Sequence, residues 1–149
     1  MKILTKTLKQ INIHAQEVSP NECCGILLSE DSNIITRILR ADNVYPNLKQ
    51  GYQIGHKAHL VALELEFLKE AQIMGYYHSH PNCKPKPSLI DLEKAIEEIN
   101  YLIISPSLNP EYFAWKIKDN VLVPEEIEVI KKDFSVLQGF YRNKRRCKN

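Results

Sequence analysis

The sequence predicts an α+β fold, a mixed α/β sheet with helices packed against it. Three observations carry that expectation. Near-continuous apolar runs at 24–29, 71–77 and 101–105 have the length and composition of buried central strands. Apolar residues recur at helical spacing in 7–18 and again in 57–72. Turn-forming residues at 30–33 and at 119–120 each separate two strand-like runs, one pair early and one late.

Taken in order, residues 2–5 read as an edge strand. Residues 7–18 form a helix through Leu8, Ile11, Ala15 and Val18, and Ser19-Pro20-Asn21 stops it. Residues 24–29 are a central strand that turns through Glu30-Asp31-Ser32-Asn33 into a return strand at 34–39, with Arg37 and Arg40 on its exposed side. Residues 42–50 are a loop and 52–54 a short strand. A helix is expected over 57–72, with Leu60, Leu63, Phe67 and Leu68 as its buried stripe. His56 and His59 bracket its start and read as surface or capping histidines. A strand over 71–77 leads to Pro81, which has no N–H for a ladder. Beyond a proline-rich turn, Ser88 caps a helix over 89–100. Residues 101–105 return as a buried strand, 112–118 alternate as a half-buried strand, and 121–130 follow as one strand, which Pro124 places at an edge.

A length of 149 residues fits one domain, expected over 1–141, with a basic tail at 142–149 that reads as a solvated segment. The net charge of +2 argues against nucleic acid or an anionic membrane as partner, and no apolar run approaches the ~20 residues of a membrane span. Without a secretory-type apolar stretch at the start, the expected location is cytoplasmic. Four cysteines, with Cys23 and Cys24 adjacent and no C-x-x-C, fit a reducing compartment rather than a disulfide framework.

The chemistry concentrates in Tyr76-Tyr77-His78-Ser79-His80-Pro81 and in Pro87-Ser88-Leu89-Ile90-Asp91. Two residues apart on a strand, His78 and His80 point to one face, about 7 Å apart along the chain. With a helix starting at Ser88, Asp91 lies in its first turn, beside the strand end. Two imidazoles and one carboxylate suit zinc, and three protein ligands leave a fourth position for water. Ser88-x-x-Asp91 is equally close to a capping box, and the two roles are compatible. Cys83 stands as an alternative ligand or as a loop thiol near the site.

His-Ser-His-Pro followed by Pro-Ser-x-x-Asp resembles the signature of the JAMM, or MPN-plus, metalloproteases, from about residue 13 to about residue 107. The resemblance implies a curved mixed sheet flanked by helices, an architecture similar to cytidine deaminases, with the metal at the end of central strands. It implies a zinc isopeptidase or peptidase in which His78, His80 and Asp91 hold the metal. Glu22, in Pro20-Asn21-Glu22-Cys23-Cys24-Gly25, matches the family's catalytic glutamate, which shuttles the proton. Ser88 matches the serine that hydrogen-bonds the oxyanion. The implied substrate is a ubiquitin-like or sulfur-carrier protein, cut at the amide after its C-terminal Gly-Gly. The near-bare domain points to the compact prokaryotic branch. Removal of a modifier from lysine and a non-catalytic MPN scaffold are the alternatives, and a homodimer stays open as the assembly state.

Overall fold

Strands β1 (Lys2–Leu4), β2 (Cys24–Ser29), β3 (Arg37–Ala41), β4 (Gln72–Ser79), β5 (Asn100–Ser105), β6 (Glu111–Lys118), β7 (Val121–Glu125) and β8 (Glu128–Ile130) alternate with helices α1 (Thr5–Val18), α2 (His56–Phe67) and α3 (Leu89–Lys94). The computed structural model describes residues 1–31 and 33–131, so the expected boundary at 141 and the basic tail lie outside the described residues. Six strands form one sheet in the order β3-β2-β4-β5-β6-β7, and β1 pairs with β8 in a second, two-stranded sheet. Within the larger sheet only β4 and β5 run parallel. A parallel neighbour needs a crossover connection, and the segment between β4 and β5 carries the proline turn and α3.

Side chains alternate across the sheet. Leu27, Tyr77, Leu102 and Ile104 pack with Leu8, Ile11 and Ala15 of α1 on one face. Ile26 and Leu28 pack with Ala58 and Ala62 of α2 on the other, and Tyr101, Ile103 and Trp115 extend that layer. Tyr77 on the α1 side sets the parity of β4, so Tyr76 and His78 face the α2 side. Gly25 makes room for the ring of its cross-strand partner Tyr77, which a Cβ there would strike.

Several boundaries differ from expectation for identifiable reasons. Helix α2 ends at Phe67 rather than 72: Lys69 takes a left-handed conformation at φ 59°, and the Lys69 and Glu70 N–H groups donate to Glu66 and Leu65 carbonyls, a glycine-type stop made without glycine. Its buried stripe is Ala58 and Ala62, while Leu60, Leu63, Phe67 and Leu68 are exposed; the small residues let α2 lie close on the sheet. Helix α3 stops at Lys94 instead of running to 100. There the chain turns to tertiary partners: Ile96 N–H donates to Tyr101 Oη and Glu98 N–H to the Ile117 carbonyl. The return strand begins at Arg37, since Ile35 is diverted into a parallel bridge with Ile3. Residues 52–54 form one bridge, Asn43 to Ile54, rather than a strand. The run 121–130 divides into β7, the sheet edge that Pro124 foretold, and β8, which pairs in parallel with β1. The 119–120 turn is as expected. Asp119 and Asn120 both take positive φ, 52° and 61°, the twist that a two-residue hairpin needs.

Under α1, buried His14 holds Nδ1 2.8 Å from Tyr77 Oη. Burial pushes its pKa down to about 4, helped by Arg40 and opposed by Glu17. The unfolded chain takes up this proton near pH 6.5 and the folded protein does not. Stability should therefore fall as pH drops from about 6.5 to 4, with His14 supplying up to about 3 kcal/mol of the loss. Urea midpoints measured across that range should fall less steeply for His14→Gln. Parallel curves for variant and wild type would assign the slope to other groups.

Candidate active site

The C-terminal end of β4 lies between β2 and β5, and there three chain segments meet. The first is β4 itself. His78 pairs across the sheet with Cys24 and Ile103 and is completely buried. Beyond the strand, His80 N–H still donates to the Ile104 carbonyl, at 2.8 Å, which ties the backbone of the second histidine to β5. The two Nε2 atoms are 3.1 Å apart. His80 Nδ1 lies 3.4 Å from the Lys84 carbonyl. A carbonyl can only accept, so this contact favours the Nδ1–H tautomer, in which Nε2 is free for a ligand. Tyr52 stacks on the His78 ring at 4.2 Å between centroids and 18° between planes.

The second segment is the start of α3. Ser88 Oγ accepts from Asp91 N–H at 3.2 Å, and Asp91 Oδ2 accepts from Ser88 N–H at 2.7 Å, a complete capping box. The capped turn aims Asp91 at the histidines: Oδ1 is 3.2 Å from His78 Nε2, and Oδ2 is 3.5 Å from His80 Nε2. Burial alone would raise the Asp91 pKa. The hydrogen bonds with His78 and His80 outweigh it and hold the carboxylate well below its usual range. Burial drives the His78 pKa down. It acts the same way on His80, but the Asp91 hydrogen bond and the Glu22 charge reverse the balance.

Glu22 arrives on the third segment, just ahead of β2. Cys23 N–H donates to Ser79 Oγ at 2.9 Å and Ser79 N–H to the Cys23 carbonyl at 3.0 Å, which ties Glu22 to the end of β4. From the other side, Glu22 N–H donates to the Leu48 carbonyl at 2.7 Å, and the Asn43 amide donates to the Glu22 carbonyl at 3.0 Å. Glu22 is 6% exposed and its Oε2 has no hydrogen-bond partner among the described residues. Burial pushes its pKa up to about 7, against the pull of His80 and with a further push from Asp91. One carboxylate oxygen of Glu22 and a nitrogen of each imidazole lie within 4.8 Å of one another, a group able to hold a metal ion.

The five residues singled out in the sequence lie together, but the metal-competent group takes Glu22, His78 and His80; Asp91 stands beside it against both imidazoles, and Ser88 caps the turn that carries Asp91. Cys83 is exposed on the turn and is not in the metal-competent group found among the described residues. His56 is exposed; His59 meets Tyr76 edge-on at 5.7 Å and stays outside the group. Sequence reasoning missed Tyr52, Asn43 and Ser79. Ser79 had a signal, as the middle residue of His-x-His facing the opposite way from its neighbours, but its partner Cys23 is 56 residues away.

This fold and site define a metallohydrolase class, and sequence comparison agrees. Residues 4–118 match the model for prokaryotic homologues of the JAB domain, and the chain belongs to this family of JAMM-type hydrolases. A desampylase of Haloferax volcanii is 32% identical over 99 residues, covering 62% of this chain and 71% of the relative. The solution structure of a protein from Desulfitobacterium hafniense superposes with a TM-score of 0.77 at 25% identity, over 89% of this chain and 94% of that one. A JAB1/MPN domain protein of Archaeoglobus fulgidus shares the fold, with a TM-score of 0.61 at 18% identity, over 87% of this chain and 99% of that one. No helix among the described residues is long and apolar enough to cross a membrane.

Proposed function

We propose that this chain is a zinc-dependent peptidase that hydrolyses the amide after the C-terminal Gly-Gly of a ubiquitin-like or sulfur-carrier protein. The observation that carries the metal assignment is the cluster of two imidazoles and one carboxylate: His78 Nε2 and His80 Nε2 are 3.1 Å apart, Asp91 Oδ1 is 3.2 Å from the first and Oδ2 3.5 Å from the second. Donors about 2.05 Å from a tetrahedral zinc stand about 3.3 Å from one another. The donor chemistry and spacing fit zinc, with His78, His80 and Asp91 as ligands. Zinc in such a site supplies Lewis acidity and lowers the pKa of water toward neutrality. Glu22, beside the cluster, takes a proton from the attacking water and returns it to the leaving amine. Ser88 Oγ spends a lone pair on the Asp91 N–H, which leaves its own hydrogen to donate to the tetrahedral oxyanion.

Similarity to a desampylase supports a substrate of the ubiquitin-like class. The cluster lies at a strand end, buried beside a cavity that Glu22, His80 and Ser88 line, a setting that suits an extended tail bound through its main chain. Glycine next to the scissile bond allows the closest approach. The test is a sulfur carrier ending in Gly-Gly-Cys against a Gly-Ala-Cys control, read by mass spectrometry. Release of cysteine from the first alone is the expected result. Equal cleavage of both, or equal cleavage of unstructured peptides, would remove the glycine and the ubiquitin fold from the specificity.

Ser88→Ala should lower turnover by roughly 10²–10³-fold and also cost about 1 kcal/mol of stability as the cap is lost. Ser88→Thr should restore both. Near-normal turnover in a destabilised Ser88→Ala protein would leave Ser88 as a cap alone.

A further inference from the structure

Two cavities flank the site, and they differ in chemistry. One, of ≈ 430 Å³, is lined by Tyr52, Ile54, Tyr76, Ile96 and Tyr101 with Lys94, whose ammonium sits over the Tyr45 ring at 4.1 Å. The other, of ≈ 500 Å³, includes Glu22, His80 and Ser88 in its wall, together with Lys49, Lys84 and Lys86. Glu22 is its only acidic lining residue. All three lysines are exposed, and among the described residues none forms an ion pair. Three unneutralised ammonium groups around one mouth make it a site for negative charge.

Glu22 decides which half of the substrate enters there. As the proton donor to the leaving nitrogen it must face the amine side of the scissile bond, and it lines the basic cavity but not the aromatic one. With Glu22 in that role, the leaving group is assigned to the cavity that Glu22 shares with the lysines, and the aromatic cavity beside Tyr52 is left for the acyl half. When the leaving group is a single C-terminal residue, its α-carboxylate is two bonds from the scissile nitrogen. When it is a lysine side chain, four methylenes follow the nitrogen and the backbone beyond them continues as neutral amides.

We propose that Lys49, Lys84 and Lys86 form a receptor for the free α-carboxylate of the leaving residue, so that this enzyme releases a C-terminal amino acid from Gly-Gly rather than cutting an isopeptide. The inference rests on the peptidase reading above. Water adds across the amide: the C–N bond breaks, the acyl carbon gains oxygen to become the Gly-Gly carboxylate, and the nitrogen leaves as the amine of the free amino acid.

The test uses zinc-loaded protein and three substrates built on one ubiquitin-fold sulfur carrier: Gly-Gly-Cys as the free acid, Gly-Gly-Cys as the C-terminal amide, and Gly-Gly joined to the Nε of a lysine amide. The free acid should be cut with a kcat/KM roughly tenfold above the amide, mostly through KM, as expected for a few solvent-exposed charge contacts, and the margin should shrink in high salt. Lys84→Met/Lys86→Met, which leaves the Lys84 carbonyl on His80, should erase the acid-over-amide margin without changing Gly-Gly over Gly-Ala discrimination. Equal rates on acid and amide would overturn the carboxylate receptor while leaving the Gly-Gly peptidase standing. A faster isopeptide would overturn it as well. Cleavage of none of the three would bring down the peptidase reading and this inference together. A second readout does not need turnover: zinc-loaded Glu22→Gln protein should bind the acid more tightly than the amide in calorimetry, and equal binding would count against the receptor.

Discussion

Replacing His80 by alanine should strip the protein of bound zinc and of peptidase activity in the same step. His78→Ala and Asp91→Asn should do likewise, because each removes one donor from a cluster whose contacts are 3.1–3.5 Å. Two remaining donors are too few for a catalytic zinc. Loss of the metal's Lewis acidity removes several kcal/mol of transition-state stabilisation, roughly 10³-fold or more in rate. Asparagine is chosen at position 91 because its oxygen can still accept the Ser88 N–H, so the helix cap survives while the charge is lost. Two measurements check the result. Elemental analysis gives the metal content of each purified variant. Thermal melts with added zinc give an independent signal: zinc at 100 times its dissociation constant stabilises a binding-competent protein by about 2.7 kcal/mol, and the variants should show no such shift. Full zinc occupancy in His80→Ala would dismiss the ligand assignment.

Glu22→Gln is expected to behave in the opposite way: zinc and fold retained, activity lost by roughly 10²–10⁴-fold. Glutamine keeps the shape of the side chain, and the backbone bonds from Leu48 and Asn43 do not depend on the carboxylate. What disappears is a group able to accept and return a proton. Single-turnover rates on zinc-loaded protein would show this, with metal content as the control. An active Glu22→Gln enzyme would place the proton shuttle on another residue. A Glu22→Gln protein that fails to bind zinc would instead make Glu22 a ligand, in line with its proximity to both imidazoles.

How much of this was legible in the sequence depended on distance along the chain. His78, His80, Ser88 and Asp91 fall within 14 consecutive residues, and the placement of each follows from a local rule of strand parity, a proline stop or a capping pattern, whereas the oxyanion role of Ser88 came from the family resemblance alone. Glu22 followed no such rule. Alone it reads as a surface carboxylate, and only the resemblance of its surroundings to a family pattern marked it. Asn43 and Tyr52 carried no local signal, because their partners Glu22 and His78 are more than 20 residues away. The fold divides similarly. Apolar runs located β2, β4 and β5 well, since a buried strand is hydrophobic regardless of its neighbours. Helix ends were harder. Nothing in Lys69 announces a left-handed residue, and nothing in Ile96 or Glu98 announces that Tyr101 and Ile117 will compete for their N–H groups. The stripe on α2 went to the wrong face because larger apolar residues outweigh alanines in any periodicity, whereas close packing on a sheet favours the alanines.

The Asn43 amide closes the loop that follows β3. Its nitrogen donates to the Glu22 and Gly51 carbonyls, and its oxygen accepts from the Tyr45 and Gln53 N–H groups. Glu22 is thus held from two points of this loop, the Asn43 amide and the Leu48 carbonyl. Residues added near Pro46 would enlarge a segment whose two ends are already fastened, and the entropy of such a closure grows only logarithmically, by about 0.6 kcal/mol for each doubling. A lineage could lengthen this segment into an arm that grips a larger partner, and Glu22 would stay where it is as long as the Leu48 carbonyl still accepts its N–H. The same geometry makes the tip of that loop the place to graft a recognition sequence onto this hydrolase.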